Sequence, residues 1–189
     1  MTGKTTTSGA GRVPAKTPIS AIELLTEDHK EVKKLFKAFE KLAGSNDAEK
    51  KQEIAEQIFL ALTVHSEIEE EIFYPAARAS IDDDDMLNEA EVEHASAKDL
   101  ITQLQAMSVA DEMFDAKMTV LGEYVDHHVQ EEESEMFPKA KNAKLDLADL
   151  GEQMSARKAE LTETLAAGLS AGLMAGRSKN AADRKSARH

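Results

Sequence analysis

The chain has 189 residues, enough for one domain with a sizeable core. It contains no cysteine, which excludes disulfide frameworks, thiolate zinc sites, iron–sulfur clusters and cysteine nucleophiles, and leaves imidazole and carboxylate as the metal-binding groups. Aromatics make up 4 % with no Trp, helix formers are abundant, and the formal charge is −13, which speaks against an all-β fold and against nucleic acid as a partner at the core.

Residues 1–18 are rich in Thr, Gly and Ser, carry Lys4, Arg12 and Lys16 without an acid, and have no apolar run. That reads as a disordered segment rather than a signal peptide or anchor, so no membrane association and a cytoplasmic location are expected. Helix starts are marked by a capping side chain three residues before an acid: Ser20 with Glu23, Asn46 with Glu49, Asp82 with Asp85, and Ser108 with Asp111. Gly44 stops the first helix, and Pro75 and Pro138 end or kink the second and fourth. Short links force sequential helices to run antiparallel, so residues 19–142 are expected to form an all-α, up-down-up-down four-helix bundle. A weaker amphipathic stretch over 143–175, with Leu147, Leu150, Met154, Leu161 and Leu165, predicts a C-terminal helix packed on the bundle. Residues 176–189 carry five bases against Asp183 and read as a basic disordered tail.

The inward faces follow from the 3.6-residue period. They are Ile22, Leu25, His29, Val32, Phe36 and Phe39 on helix 1, and Ile54, Ile58, Ala61, His65, Ile68 and Ile72 on helix 2. Helix 3 gives Leu87, Ala90, His94, Ala97, Ile101 and Leu104; helix 4 gives Phe114, Met118, Leu121, Val125, His128 and Glu132. Each apolar stripe is interrupted by one histidine. A single histidine on such a face is usually a core residue satisfied by one hydrogen bond, but four of the six in the chain fall this way, and an unpartnered polar group in a core costs about 1–3 kcal/mol.

His65 with Glu69 and His128 with Glu132 have i,i+4 spacing, which stacks an imidazole and a carboxylate on one face. A carboxylate in an apolar core is costly unless paired, and a bound cation removes the cost. Lys30, Lys33 and Lys34 lie beside the helix 1 stripe rather than on it, so a metal is favoured over a buried salt-bridge network. HSEIEEEIFYPAA from His65 aligns with HVQEEESEMFPKA from His128, and DHKEVKKL around His29 aligns more loosely with EHASAKDL around His94. Two hairpins, each supplying one His and one His-x-x-x-Glu pair, predict a binuclear site. His127 with Glu131 shares the spacing but sits about 100° off the stripe, and is read as exposed or as a neighbour of the ligands. The glutamates around Glu69 and Glu132 are read mainly as solvated helix faces, and the methionines as core filling.

The ordered set His29, His65-x-x-x-Glu69, His94, His128-x-x-x-Glu132, with EEEIFYP and EEESEMFP after the second and fourth histidines, resembles the hemerythrin-like (HHE cation-binding) family over roughly residues 20–141. The resemblance implies a four-helix bundle around a non-haem di-iron centre, with two Fe ions under an oxo or hydroxo bridge. His29, His65, His94 and His128 would be the histidine ligands, and Glu69 and Glu132 the bridging carboxylates. The histidines' other ring nitrogens would donate to nearby acceptors. Oxygen-carrying hemerythrins have a further histidine a turn before the third-helix one, where this chain has Ala90. Of about twelve coordination positions roughly two would then stay open, with Glu91 and Tyr124 as candidate extra ligands. A more open site suits NO binding or peroxide decomposition better than reversible O₂ carriage. The expected ligand is O₂, NO or H₂O₂, with catalase-like disproportionation as the enzymatic version and iron or oxygen sensing, or iron buffering, as the alternative. His/Glu donors also accept Mn or Zn, and no stripe reads as an interface between copies.

Overall fold

The computed structural model describes residues 19–42, 44–45 and 47–186, with side chains as far as 168. The expected disordered segment 1–18 and the last three residues of the basic tail lie outside the described residues. Every regular element described is helical: α1 (Ala21–Glu40), α2 (Ala48–Ile68), α3 (Tyr74–Arg78), α4 (Asp84–Gln105), α5 (Phe114–Glu131), α6 (Phe137–Asn142) and α7 (Leu147–Ser186). Two π-helical segments, Glu69–Phe73 and Glu132–Met136, join α2 to α3 and α5 to α6. The four long rods form the expected all-α bundle, with α1 against α2, α4 against α5, and α7 laid along α1 and α2.

Local chemistry explains most boundaries. Ser20 makes a full capping box, its hydroxyl accepting from the Glu23 amide while Glu23 accepts from the Ser20 amide. Three starts differ from expectation. Asp47 caps α2 by accepting from Lys50, whereas Asn46 is outside the described residues. Asp83 rather than Asp82 caps α4, accepting from the Met86 amide. Ser108 and Asp111 serve tight turns, accepting from the Ala110 and Met113 amides, and α5 begins only at Phe114. In each case several adjacent acids or hydroxyls can cap, and packing of the first buried residue selects among them.

The prolines act differently from a simple stop. Before each one the helix loosens by one residue, so that the Tyr74 amide donates to the Glu69 carbonyl and the Phe137 amide to that of Glu132, both i→i−5. The extra residue turns Phe73 and Tyr74, and likewise Met136 and Phe137, into the core, while Ile72 is left only partly buried.

α7 passes the boundary expected at 175 and continues to Ser186, as its Ala-rich composition favours. Its first turn crosses the chain entering α1 so closely that a Cβ at Gly151 would lie 2.1 Å from the Ile19 carbonyl oxygen. Two apolar cores result. One gathers Leu25, Ile68, Phe73, Leu87, Met136 and Met154; the other gathers Val32, Ile58, Leu62, Ile101, Phe114 and Leu121. The four stripe histidines lie between them.

Candidate metal centre

On every long rod the histidine is flanked by one core on one side and the other core on the other: Leu25–His29–Val32, Leu62–His65–Ile68, Ala90–His94–Ile101 and Leu121–His128–Met136. The result is a buried polar layer across the bundle. His29, His65, His94 and His128 are each under a tenth exposed, and Glu69 and Glu132 are fully buried.

Two groups of donor atoms converge there. His29, His65, Glu69 and Glu132 form one, and Glu69, His94 and His128 the other, the atoms of each lying within 4.8 Å of one another. Glu69 belongs to both. His65 Nε2 lies 3.2 Å and His94 Nε2 3.5 Å from Glu69 Oε2. His29 Nε2 lies 3.2 Å and His128 Nε2 3.7 Å from Glu132 Oε2.

Acids face all four outward ring nitrogens and bond three of them. His29 Nδ1 bonds Glu133 at 2.9 Å, His94 Nδ1 bonds Glu70 at 2.8 Å, and His128 Nδ1 bonds Glu93 at 2.8 Å. His65 Nδ1 is 3.6 Å from Asp28, which also pairs with Lys158. Donation to carboxylates fixes the tautomer and leaves the Nε2 lone pairs pointing inward. The sequence repeat is reproduced in this pattern. Asp28 precedes His29 and serves His65, as Glu93 precedes His94 and serves His128. Glu70 follows Glu69 and serves His94, as Glu133 follows Glu132 and serves His29.

These residues suit a cation. Among the described residues, the inward atoms His29 Nε2, His65 Nε2, both Glu69 oxygens and Glu132 Oε2 are buried without a hydrogen-bond partner. His94 and His128 face each other with Nε2 atoms 3.0 Å apart; with Nδ1–H donated outward, two lone pairs meet, and only a proton or a cation satisfies both. Such orphaned atoms are costly in a finished core and are the donor set of an N/O metal site.

The family comparison agrees with this chemistry, since the description Hemerythrin HHE cation binding domain matches residues 20–140. The chain belongs to the hemerythrin HHE cation-binding family. A hemerythrin HHE cation binding domain-containing protein of Mycobacterium kansasii, known from a crystal structure, superposes with a TM-score of 0.68, covering 77 % of this chain and 89 % of that one. At 23 % identity that likeness carries the fold. A DNA nickase of Nostoc sp. is 35 % identical over 120 residues, 64 % of this chain but 33 % of that protein. The HHE chain thus spans about a third of the length of that relative.

Burial and neighbouring charge set the protonation of the metal-free centre. Burial, then the charge of Glu132, pushes the Glu69 carboxyl well above the usual range. Burial also acts on Glu132, but the close approach of His29 and the charges of His128, His29 and His65 outweigh it and hold that carboxyl below its usual range. Burial and the charge of His128 bring His94 down to about 4, and burial lowers His65. For His29, the adjacent Glu132 carboxylate and the bond to Glu133 overcome burial and raise it. Burial pushes the Tyr74 phenol well up, so it stays a donor.

Neither candidate extra ligand belongs to these donor groups, although Tyr124 lines the cavity beside the four histidines. Glu91 is paired with Arg78 at 2.9 Å on the surface, and Tyr124 is half exposed. The buried phenol near the centre is Tyr74, whose hydroxyl donates to Glu132 Oε1 at 3.1 Å and lies 3.3 Å from His94 Nε2 and 3.5 Å from His128 Nε2. Periodicity misses Tyr74 because the π-helical step brings it inward. The four outer acids carry a visible signal, their equivalent positions in the two near-repeats. A cavity of about 40 Å³, lined by Val32, Leu62, Ala97, Ile101 and Val125 together with the four histidines, adjoins the cluster and has room for a molecule of a few atoms.

Proposed function

We propose that this chain is a non-haem di-iron protein that binds O₂ or NO, or decomposes hydrogen peroxide, at a carboxylate-bridged iron pair. The observation that carries this is the pair of convergent donor groups sharing Glu69, with their inward nitrogens and oxygens unpartnered. In this reading His29, His65, His94, His128, Glu69 and Glu132 hold the metals, and Glu91 and Tyr124 lie outside the two donor groups. Two irons held this way supply two adjacent redox equivalents and positions open to a small ligand.

The chain's own groups shape what can happen there. The mainly apolar walls suit an uncharged molecule of a few atoms. The Tyr74 hydroxyl, neutral and buried, can turn from Glu132 to donate to such a ligand beside His94 and His128. Glu70, Glu93 and Glu133 bond three of the imidazoles and Asp28 faces the fourth, which would keep their orientation through redox cycling.

Iron content of protein from iron-replete cells, read with the absorption spectrum before and after H₂O₂, tests the reading. About two irons per chain, an oxo-bridged band and oxygen evolution support peroxide turnover. A spectrum that changes reversibly with O₂ or NO without turnover supports gas binding, and a chain without bound metal overturns the proposal.

A sensing role has one observation in its favour. α7 is tied to the centre's surroundings by Lys158 on Asp28 and by Arg157, which forms a bidentate pair with Glu71 at 2.6 and 2.9 Å. Metal-dependent protection of α7 from protease would support it, and identical digestion with and without metal would refute it.

A further inference from the structure

One imidazole beside the centre belongs to no part of it. His127 precedes His128 but points outward, 62 % exposed, with Nε2 3.5 Å from Glu131 Oε1 and 3.6 Å from Glu93 Oε1. The donor atoms of the three side chains lie within 4.8 Å of one another. These separations are long for hydrogen bonds. They suit ligands around a divalent cation, since bonds of about 2.1–2.4 Å at 90–110° put neighbouring donors roughly 3.0–3.9 Å apart.

A cavity of about 250 Å³ opens beside this group, between the start of α4 and the end of α5. Exposed Asp85, Glu89 and Glu135 line its outer part together with Glu93 and Glu131, and Lys139 neutralises Asp83 at the rim. Its inner wall includes His128 and Glu132, the latter fully buried with Oε2 unpartnered. The small Ala90 side chain is also part of the wall. Glu93 touches both ends: one oxygen faces His127 and the other bonds His128 Nδ1 at 2.8 Å. A convergence of carboxylates with low-dielectric walls concentrates cations and raises their rate of arrival.

We propose that Glu93, His127 and Glu131 form a weak outer site for a divalent cation, and that the acidic cavity is the route by which metal reaches the central cluster. The loading role rests on reading that cluster as a metal centre; the outer site does not.

Free Mn²⁺ followed by electron paramagnetic resonance during titration of the full chain tests the outer site. Wild-type protein should show one weak site that His127→Ala and Glu131→Gln both lack, and equal weak binding in all three would overturn it. If the central cluster takes up no metal while the weak site persists, the functional reading fails and the outer site stands.

The route is tested by the rate at which metal-free protein takes up Co²⁺ at the centre, read from its visible absorption. Both variants should load about five-fold or more slowly yet reach the wild-type stoichiometry. Unchanged rates would overturn the route, and a lower final stoichiometry would make His127 a central ligand instead. Glu152→Gln removes the same charge on α7, away from the cavity. It should load normally, and equal slowing there would reduce the effect to net charge and overturn the route.

Discussion

Replacing Glu69 by Gln separates a metal-holding role from a structural one, because the two predict opposite signs. Glu69 is fully buried, neither of its oxygens has a hydrogen-bond partner, and its carboxyl is pushed upward by burial and by Glu132. In metal-free protein a neutral amide of the same shape therefore removes a strained ionisation. It also offers a donor to Glu132 Oε2, so stability at pH 7 should rise or change by less than about 1 kcal/mol. With metal the outcome reverses. Each site filled at a hundred times its Kd adds about 2.7 kcal/mol, roughly 8 °C in a chain of this size, and Glu69 belongs to both donor groups. Scanning calorimetry with and without anaerobic Fe(II), alongside metal analysis, should show a large upward shift for wild type and little for Glu69→Gln. A variant that binds two irons with the wild-type shift, or one destabilised without metal by more than about 3 kcal/mol, would refute the reasoning.

Metal-induced stabilisation should grow as pH rises from about 5.5 to 8. Glu69 and His29 are raised in the metal-free fold, so the stability each contributes is present below its unfolded pKa and is lost as pH rises through the folded one, while bound metal displaces their protons; a thermal shift independent of pH would contradict this. Lys158→Met should cost about 1–3 kcal/mol in urea unfolding at pH 7 by leaving Asp28 nearly buried without its cation. Asp28 is held low against burial by His65 and Lys158, so the loss should shrink as pH falls through its folded pKa, and a pH-independent loss would count against this. Gly151→Ala should destabilise by about 1–3 kcal/mol, because its Cβ would meet the Ile19, Ser20 and Ala21 backbone. Gly168→Ala, with open space around it, should be neutral or stabilising by up to about 1 kcal/mol, and the reverse order of the two midpoints would overturn the packing of α7 on α1.

Helix identity, inward stripes and the six convergent residues were legible in the sequence because all three depend on helical period, which holds within a rod. Val32, Ile58, Leu87 and Met118 are buried where the period puts them. Legibility ended where the period changes. Past Glu69 and Glu132 the extra π-helical residue shifts the phase, so Tyr74 and Phe137 turn inward and Ile72 does not. Caps were legible at Ser20, where one hydroxyl and one acid fit, but not among the four consecutive aspartates Asp82, Asp83, Asp84 and Asp85, where neighbours compete. The outer acids occupy equivalent positions in the two near-repeats, but their role was obscured for a different reason. Glu70 and Glu133 are part-exposed residues in acidic runs, and only the cross-bundle pairing shows that they orient histidines.

That pairing runs between the two halves of the chain. Glu70, in the first hairpin, orients His94 in the second, and Glu133, in the second, orients His29 in the first. Neither hairpin alone contains an imidazole pair with both ring nitrogens provided for, so a half-length fragment would keep its ligands yet lack their alignment. Assembly of the centre thus reports that both hairpins have docked in register, and metal capture becomes a proofreading step on folding.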